Sequence, residues 1–273
     1  MSDLLIHSMA EFAAVILPCL EDAGAATITE VGSEFGSMSQ ALADHCAARG
    51  GRLTCIDPAP APEFAQWAAA RPHVEHVARP SLEVLADVPA ADAWLIDGDH
   101  NYYTVFHELG HIDTVARAAG KPLLVFLHDV SWPCARRDFY YAPDRIPAEW
   151  RHPHSFEHGA RLGCPEALFR QGWRGMGQFA IAMEEGGPRN GVLTAVEDFL
   201  AAADTPDRPL CYAHIPAVLG LGIIFAADAP WSDALAGRLA PYHQNPLIAQ
   251  LEENRLRNYL EVIAWQDRSS AAA

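Results

Sequence analysis

Short apolar runs alternate with segments of helical periodicity along the first half of the chain. The apolar runs occupy residues 28–31, 53–56, 74–78, 93–96 and 122–127. Between them, apolar residues recur with the spacing of a helix at 37–48, 63–70, 81–86 and 103–119. This alternation predicts an α/β fold in which parallel strands form one sheet and helices cover both of its faces.

The second half of the chain departs from this alternation. Residues 131–189 are rich in Pro, Gly, His, Trp and Arg and show little periodicity, which indicates an insertion. A helix is predicted at 191–203, and two apolar runs at 210–214 and 220–226 are separated by a short segment around Pro216. We expect these two runs to form a hairpin that adds an antiparallel last strand, which completes a doubly wound sheet of the Rossmann-like kind.

The length and composition are compatible with one domain. The chain has 273 residues, of which 50% are hydrophobic, enough for a complete core. We expect residues 1–273 to form a single domain with a helical segment at 1–25, a lid-like insertion at 131–189 and a helical segment at 231–273.

The turn after the first strand carries the strongest chemical signal. Glu30 lies at the end of the first strand, next to Val31. Gly32 and Gly36 lie in the turn that follows, together with Ser33 and Ser37. Glycine removes a Cβ that would collide with a ligand, and the helix that follows offers unpaired N–H groups. The third glycine of the Gly-x-Gly-x-x-Gly dinucleotide pattern is missing, which disfavours a nicotinamide oxidoreductase. An acid at the strand end suits instead a cationic amino-acid group, such as that of S-adenosylmethionine.

A second signal lies at the end of the second strand. Asp57 follows the run 53–56 directly, at the position where a ribose-binding acid belongs in a nucleotide-binding βαβ unit. The turn and this acid together predict a nucleoside-binding site.

The charge and the cysteines restrict the partners and the compartment. The formal net charge of −16 argues against nucleic acid and against an anionic membrane, which leaves a small molecule as the expected substrate. Six cysteines without a C-x-x-C pair are interpreted as buried thiols of a reducing compartment, so we expect a cytoplasmic protein. The apolar segment 4–20 lacks a basic start and is interpreted as a helix and not as a signal peptide. A homo-oligomer is compatible with the sequence.

These motifs resemble the class I S-adenosylmethionine-dependent methyltransferases, in the branch of macrocin-type sugar O-methyltransferases and cephalosporin-hydroxylase-like proteins. The resemblance covers about residues 25–130 and extends more loosely to about 226. It implies that the Glu30–Gly36 turn contacts the methionine part of the cofactor, that Asp57 holds the ribose hydroxyls and that Ser81 lies near the adenine. The implied reaction is O-methylation of a small natural-product or sugar-like acceptor in secondary metabolism.

Acids and histidines follow the fourth and fifth strands. Asp97 and His100 come after the fourth strand, and His128 and Asp129 end the fifth. In similar metal-dependent members the acids at these places bind magnesium, which maps onto Asp97 and Asp129 here, with His128 beside them. Because imidazole suits Mn, Fe, Ni or Zn better than Mg, the identity of such a metal stays open. Without a metal, Asp97 and Asp129 would orient the acceptor hydroxyl and His100 or His128 would act as the base. Asp97 is also expected beside the cofactor, and alternatively both histidines would only pack beneath it.

Other functions remain open at this point. His107-Glu108-Leu-Gly-His111 matches the H-E-x-x-H motif of zinc peptidases, although the predicted crossover helix is the wrong context for it. A metal-dependent, hydroxylase-like or otherwise non-methylating relative would keep the strand-end acids. A non-catalytic binding protein on the same fold would keep the sheet but transfer no methyl group.

Overall fold

A seven-stranded sheet forms the centre of the protein, in a computed structural model that describes residues 8–271. Within that part of the chain the strands, β1 to β12 in order, are Thr27–Val31, Arg52–Ile56, Val74–Val77, Ala93–Ile96, Leu124–His128, Phe139–Tyr140, His154–Ser155, His158–Arg161, Cys164–Phe169, Ala180–Ala182, Leu210–Ile215 and Leu221–Ala226. The central sheet has the order β11-β12-β5-β4-β1-β2-β3. The first seven residues of the predicted N-terminal segment, and residues 272 and 273 of the C-terminal one, lie outside the described residues.

The predicted sheet and hairpin are confirmed. Strands β1 to β5 pair in parallel, while β12 runs antiparallel to both β5 and β11. One strand, β12, is therefore reversed, and β11 again runs in the direction of β5. Strands β4, β5 and β12 are buried along their whole length, which explains why their sequences are continuous apolar runs and not alternating patterns.

Helices cover both faces of the sheet, as the alternation predicts. They are, from α1 to α8, Ala13–Asp22, Ser37–Ala48, Pro62–Ala69, Ser81–Val84, Tyr102–Ala118, Val192–Ala203, Ser232–Leu239 and Pro246–Ala271. Side chains of α1, α2, α3 and α7 share one apolar core, and those of α4, α5 and α6 share a second. None of the helices between residues 8 and 271 combines the length and apolarity that crossing a membrane requires.

The segment predicted as an irregular insertion contains two small sheets. One has the order β6-β10-β7, and the other is the β8-β9 hairpin. A buried polar network holds this insertion to the main domain, because the Asp138 carboxylate accepts hydrogen bonds from the backbone N–H of Tyr102 (2.7 Å) and of Gly191 (2.7 Å). The long helix α8 reaches the same region, where both terminal nitrogens of Arg174 donate to the carboxylate of Asp267.

Candidate functional site

One large cavity lies at the carboxyl ends of the parallel strands. Its volume is about 1490 Å³, and it is bounded by the β1–α2 turn, the ends of β4 and β5, the insertion and α8. Of the predicted site residues, all but Gly36 line it: Glu30, Gly32, Ser33, Ser37, Asp57, Ser81, Asp97, His100, His128 and Asp129. An open α/β sheet binds ligands at this place because the strand order reverses between β1 and β4.

Close contacts within the protein itself account for both glycines of the turn. Gly32 has φ +84°, and a Cβ there would lie 2.1 Å from the carbonyl oxygen of Asp97. Gly36 has φ +79°, and a Cβ there would lie 2.7 Å from the ring of Phe64. The predicted reason, a collision with a ligand, is therefore not needed. Close packing of the β1 and β4 ends already requires glycine at residue 32.

Glu30 lies buried beneath the turn. Its carboxylate accepts hydrogen bonds from the hydroxyls of Ser39 and Ser33 and from the thiol of Cys55. Burial raises the pKa of Glu30 to about 7, although these three donors act in the opposite direction. Its observed contacts hold the turn in shape, and it also lines the cavity.

Asp57 also stabilises the turn through hydrogen bonds. One carboxylate oxygen accepts from the backbone N–H groups of Ser33 (2.9 Å) and Glu34 (3.0 Å), and the other accepts from that of Ala59 (2.8 Å). These bonds place a carboxylate at the mouth of the cavity next to the turn. Contact with ribose hydroxyls remains a prediction for this residue.

His128 is fixed by three groups around it. Its Nε2 is hydrogen-bonded to the carbonyl oxygen of Val218 (2.8 Å), and its Nδ1 lies 3.1 Å from an oxygen of Asp97 and 3.2 Å from one of Asp129. Burial alone would lower the pKa of His128, but the two carboxylates raise it well above its ordinary value. The side chain is therefore an imidazolium that bridges two acids, and both of its nitrogens are engaged.

His100 is the histidine that is open to the cavity. Its Nδ1 lies 3.2 Å from a carboxylate oxygen of Asp129, and its Nε2 has no hydrogen-bond partner within residues 8–271. Asp129 has φ +60°, a strained conformation for a residue with a side chain, and it directly follows the buried strand β5. The two residues form a carboxylate–imidazole pair in which the outer nitrogen is available to a ligand.

The described residues include one group that could hold a metal ion, and it differs from the predicted triad in its histidine. One ligand atom each from Asp97, His100 and Asp129 can lie within 4.8 Å of one another, and among the described residues this is the group that fits one ion. The prediction had His128 in place of His100. The Nδ1 of His128 also lies close to both acids, at 3.1 Å from Asp97 and 3.2 Å from Asp129, so its role as a ligand remains a prediction.

The H-E-x-x-H motif does not form a metal site. The Nδ1 of His107 is hydrogen-bonded to the carbonyl oxygen of Tyr103 (2.7 Å), and its ring packs edge-on against Trp150. Glu108 is buried and lines the cavity, where it accepts a hydrogen bond from the hydroxyl of Ser81. The peptidase hypothesis is thus contradicted by the different environments of these side chains.

Several cavity residues were not found from the sequence. Among them are Trp173, Phe179, the α8 residue Tyr259 and Glu108, which the sequence singles out only as part of the H-E-x-x-H motif. Only Glu108 had a visible signal, its place in the crossover helix after the fourth strand. The others belong to segments without periodicity or lie far along the chain.

A family model described as a methyltransferase domain matches residues 29–130. The match identifies these residues as similar to a methyltransferase domain. The match runs from β1 to the residue after Asp129, so it contains the turn, Asp57 and both strand-end acids. Among curated proteins, none matches the chain.

Solved methyltransferase structures are similar to the chain at low identity. An O-methyltransferase from Bacillus cereus in complex with S-adenosylhomocysteine has 13% identity and a TM-score of 0.46, covering 82% of this chain and 85% of that one. TomG from Streptomyces achromogenes, an O-methyltransferase involved in tomaymycin synthesis and bound to S-adenosylmethionine, has 16% identity and a TM-score of 0.45, with 83% of each chain covered. The S-adenosylhomocysteine-bound methyltransferase PaMTH1 from Podospora anserina has 13% identity and a TM-score of 0.46, covering 79% and 78%. TM-scores below 0.5 transfer neither an acceptor nor a residue role to this methyltransferase domain.

Proposed function

We propose that this protein methylates a hydroxyl oxygen of a small acceptor, with His100 as the general base and Asp129 as the group that positions it. The observation that carries the proposal is the His100–Asp129 pair at the cavity wall. The Nδ1 of His100 lies 3.2 Å from a carboxylate oxygen of Asp129, so a ring that carries its proton on Nδ1 would present the lone pair of Nε2, the nitrogen without a partner among the described residues, to the cavity. A base of this kind contributes about 10²- to 10⁴-fold to a proton transfer.

The reaction balances with these groups. Bound S-adenosylmethionine would supply the methyl group from its sulfonium. The rest of the donor would leave as a neutral thioether. The acceptor oxygen forms its bond to the methyl carbon while the sulfur–methyl bond breaks, and the hydroxyl proton passes to Nε2 of His100. The Asp129 carboxylate stabilises the resulting imidazolium, and the cavity walls align oxygen, carbon and sulfur.

The side chains around His100 favour an apolar, flat acceptor such as a phenol. The ring centroid of Tyr141 lies 5.8 Å from that of His100 and 5.7 Å from that of Phe179. Trp173 and Tyr259, in edge contact with each other, close the cavity on the side of α8. Aromatic walls of this kind bury a planar ring better than a hydrated sugar.

The same O-methylation could also be assisted by a divalent metal in place of a histidine base. The donor set of Asp97, His100 and Asp129 fits a metal ion that accepts mixed oxygen and nitrogen ligands, which favours Mn, Fe, Ni or Zn over Mg. When bound, such an ion would lower the pKa of the acceptor hydroxyl. The same three residues would then hold the acceptor oxygen next to the methyl group.

The test compares His100→Gln with His111→Gln, a substitution on α5 outside the cavity. Purified protein is incubated with methyl-labelled S-adenosylmethionine and a panel of phenols and other alcohols, with and without added Mn²⁺ and after chelation. We expect His100→Gln to reduce kcat at least 100-fold, with S-adenosylhomocysteine affinity unchanged, and His111→Gln to keep the wild-type rate.

Four outcomes separate the possibilities. Activity that survives chelation and is lost in His100→Gln supports the base, whereas activity that requires added metal supports the ligand role. Full activity of His100→Gln contradicts both. Binding of S-adenosylhomocysteine without transfer to any acceptor would favour a non-methylating relative.

A further inference from the structure

The turn of the β11–β12 hairpin, residues 217–220, has a backbone conformation that does not suit its side chains. Val218 and Leu219 both have positive φ, +45° and +64°, and a hydrogen bond from the N–H of Gly220 to the carbonyl oxygen of Ala217 (2.7 Å) closes the turn. Two-residue hairpin turns with two positive φ angles favour Asn and Gly, and a β-branched residue rarely adopts positive φ. Contacts from elsewhere in the protein must therefore hold the hairpin turn in this conformation.

Three backbone groups of the hairpin turn bond to the rest of the protein. The carbonyl oxygen of Val218 is bonded to Nε2 of His128 (2.8 Å), and that of Leu219 accepts from the backbone N–H of Ser131 (2.7 Å). The N–H of Leu219 donates to the carboxylate of Glu252 on α8 (3.0 Å). The hairpin turn thus connects α8 with the end of β5, and the Leu219 side chain also lines the cavity.

Glu252 is buried and ionised at this contact. Its carboxylate also accepts from Nε and from a terminal nitrogen of Arg255, at 2.7 Å each. Burial alone would raise the pKa of Glu252, but the hydrogen bonds from Arg255 and Leu219 lower it below its ordinary value. A hydrogen bond to an ionised acceptor is about twice as strong as one between neutral groups, so this carboxylate is a strong anchor for the N–H of Leu219.

The bond to Val218 determines how the ring of His128 is oriented. With Nε2 held by this carbonyl, Nδ1 points to the two strand-end acids, at 3.1 Å from Asp97 and 3.2 Å from Asp129. Asp129 in turn lies beside His100. A shift of the hairpin turn would move the carbonyl, release the His128 ring and change the spacing of both acids.

We propose that Glu252 is a positioning residue of the candidate site: from α8 it holds the strained hairpin turn so that the Val218 carbonyl fixes His128 between the two acids. Glu252 is not among the residues that line the cavity, so it acts through the hairpin turn and not on a ligand. The expected effect on rate rests on the proposed O-methylation. The orientation of His128 is a property of the protein alone and can be measured without an acceptor.

The test compares Glu252→Ala with Glu252→Gln and with the control Glu253→Ala. Glutamine keeps an oxygen that can accept from the N–H of Leu219, whereas alanine has none. Glu253 pairs with Arg257 on the same helix, but at an exposed position. A fourth protein combines Glu252→Ala with Val218→Asn, because asparagine adopts positive φ more easily than valine and should hold the turn without the carboxylate.

Two kinds of measurement separate positioning from a general loss of structure. The ring N–H resonance of His128 in proton–nitrogen NMR spectra, assigned with His128→Gln, reports the bond to Val218. Methyl transfer and calorimetry of S-adenosylhomocysteine report the rate and the donor site. We expect Glu252→Ala to shift or lose the resonance and to reduce kcat about 10- to 100-fold with donor affinity largely kept. Glu252→Gln and Glu253→Ala should behave as wild type, and Val218→Asn should restore the resonance and the rate of Glu252→Ala.

A folded Glu252→Ala protein with the wild-type His128 resonance would overturn the inference, as would a failure of Val218→Asn to restore that resonance. Should Glu252→Ala fail to fold, hydrogen exchange of the wild type decides. The Leu219 amide should then exchange as slowly as that of Ser131, and fast exchange at Leu219 would overturn the inference. Neither NMR nor hydrogen exchange needs an acceptor, so absence of methyl transfer would contradict the proposed O-methylation and leave these results intact.

Discussion

Replacing Glu108 by glutamine should remove a pH-dependent loss of stability. In the folded protein burial raises the pKa of Glu108 to about 8, against an ordinary value of 4.5. Below pH 4.5 the group is protonated in both states and has no effect on the pH dependence. Between pH 4.5 and about 8 the unfolded chain releases the proton and the folded chain keeps it, so stability falls as the pH rises. Above pH 8 the loss is complete.

The size of the effect follows from the two pKa values. One pKa unit corresponds to about 1.4 kcal/mol, so the interval from 4.5 to about 8 amounts to roughly 5 kcal/mol as an upper figure. Glutamine keeps a carbonyl for the Ser81 hydroxyl and has no proton to lose. We therefore expect the free energy of unfolding of Glu108→Gln, relative to wild type, to rise by several kcal/mol from pH 5 to pH 8.

Urea unfolding at pH 5, 6.5 and 8, followed by tryptophan fluorescence, measures this difference. Glu30 also has a raised pKa, but it is present in both proteins and cancels in the comparison. Glu75→Gln, a substitution at an exposed position on β3, should show no trend with pH. A constant difference between Glu108→Gln and wild type at all three values would refute the reasoning, because it would mean that the buried carboxyl does not hold its proton.

Three further predictions concern the turn, the bridging histidine and the cavity wall. Gly32→Ala should lower the free energy of unfolding by about 2–4 kcal/mol and abolish S-adenosylhomocysteine binding in calorimetry. The reason is that residue 32 has a positive φ and a Cβ there would lie 2.1 Å from a backbone oxygen. The control Gly110→Ala should be neutral or stabilising, because a Cβ at residue 110 has no neighbour within 4 Å. His128→Gln should lower the free energy of unfolding by about 3–5 kcal/mol in urea below pH 6.5, because two facing carboxylates lose the imidazolium between them. The loss should become smaller as the pH rises through the raised pKa of the histidine. An equal loss at all pH values would contradict the bridging role of His128. Asp267→Asn should weaken the ion pair with Arg174 and increase hydrogen exchange at the end of α8, and unchanged exchange would show that this contact does not hold the helix.

The sheet could be predicted from the sequence because each of its strands and helices shows its apolar pattern within its own residues. The predicted helix 37–48 has the bounds of α2, and each predicted strand of the sheet overlaps an observed one. Apolar periodicity records which faces are buried, and a helix or strand needs only its own residues to display it. The insertion has no such pattern, since it is held by a buried polar network around Asp138 whose partners at Tyr102 and Gly191 lie far apart along the chain.

The candidate site was predicted only in its outline. Because parallel strands end at one edge of a sheet, the sequence by itself determined that Asp97, His100, His128 and Asp129 would meet there. Which histidine remains available was decided by the tertiary structure, through the carbonyl of Val218, which lies ninety residues after His128 and binds its Nε2. The same holds for Glu108, whose hydrogen bond with Ser81 exists only because α4 and α5 pack together. Local patterns specify which groups reach the site, whereas hydrogen-bond partners contributed by distant segments decide what each group is free to do.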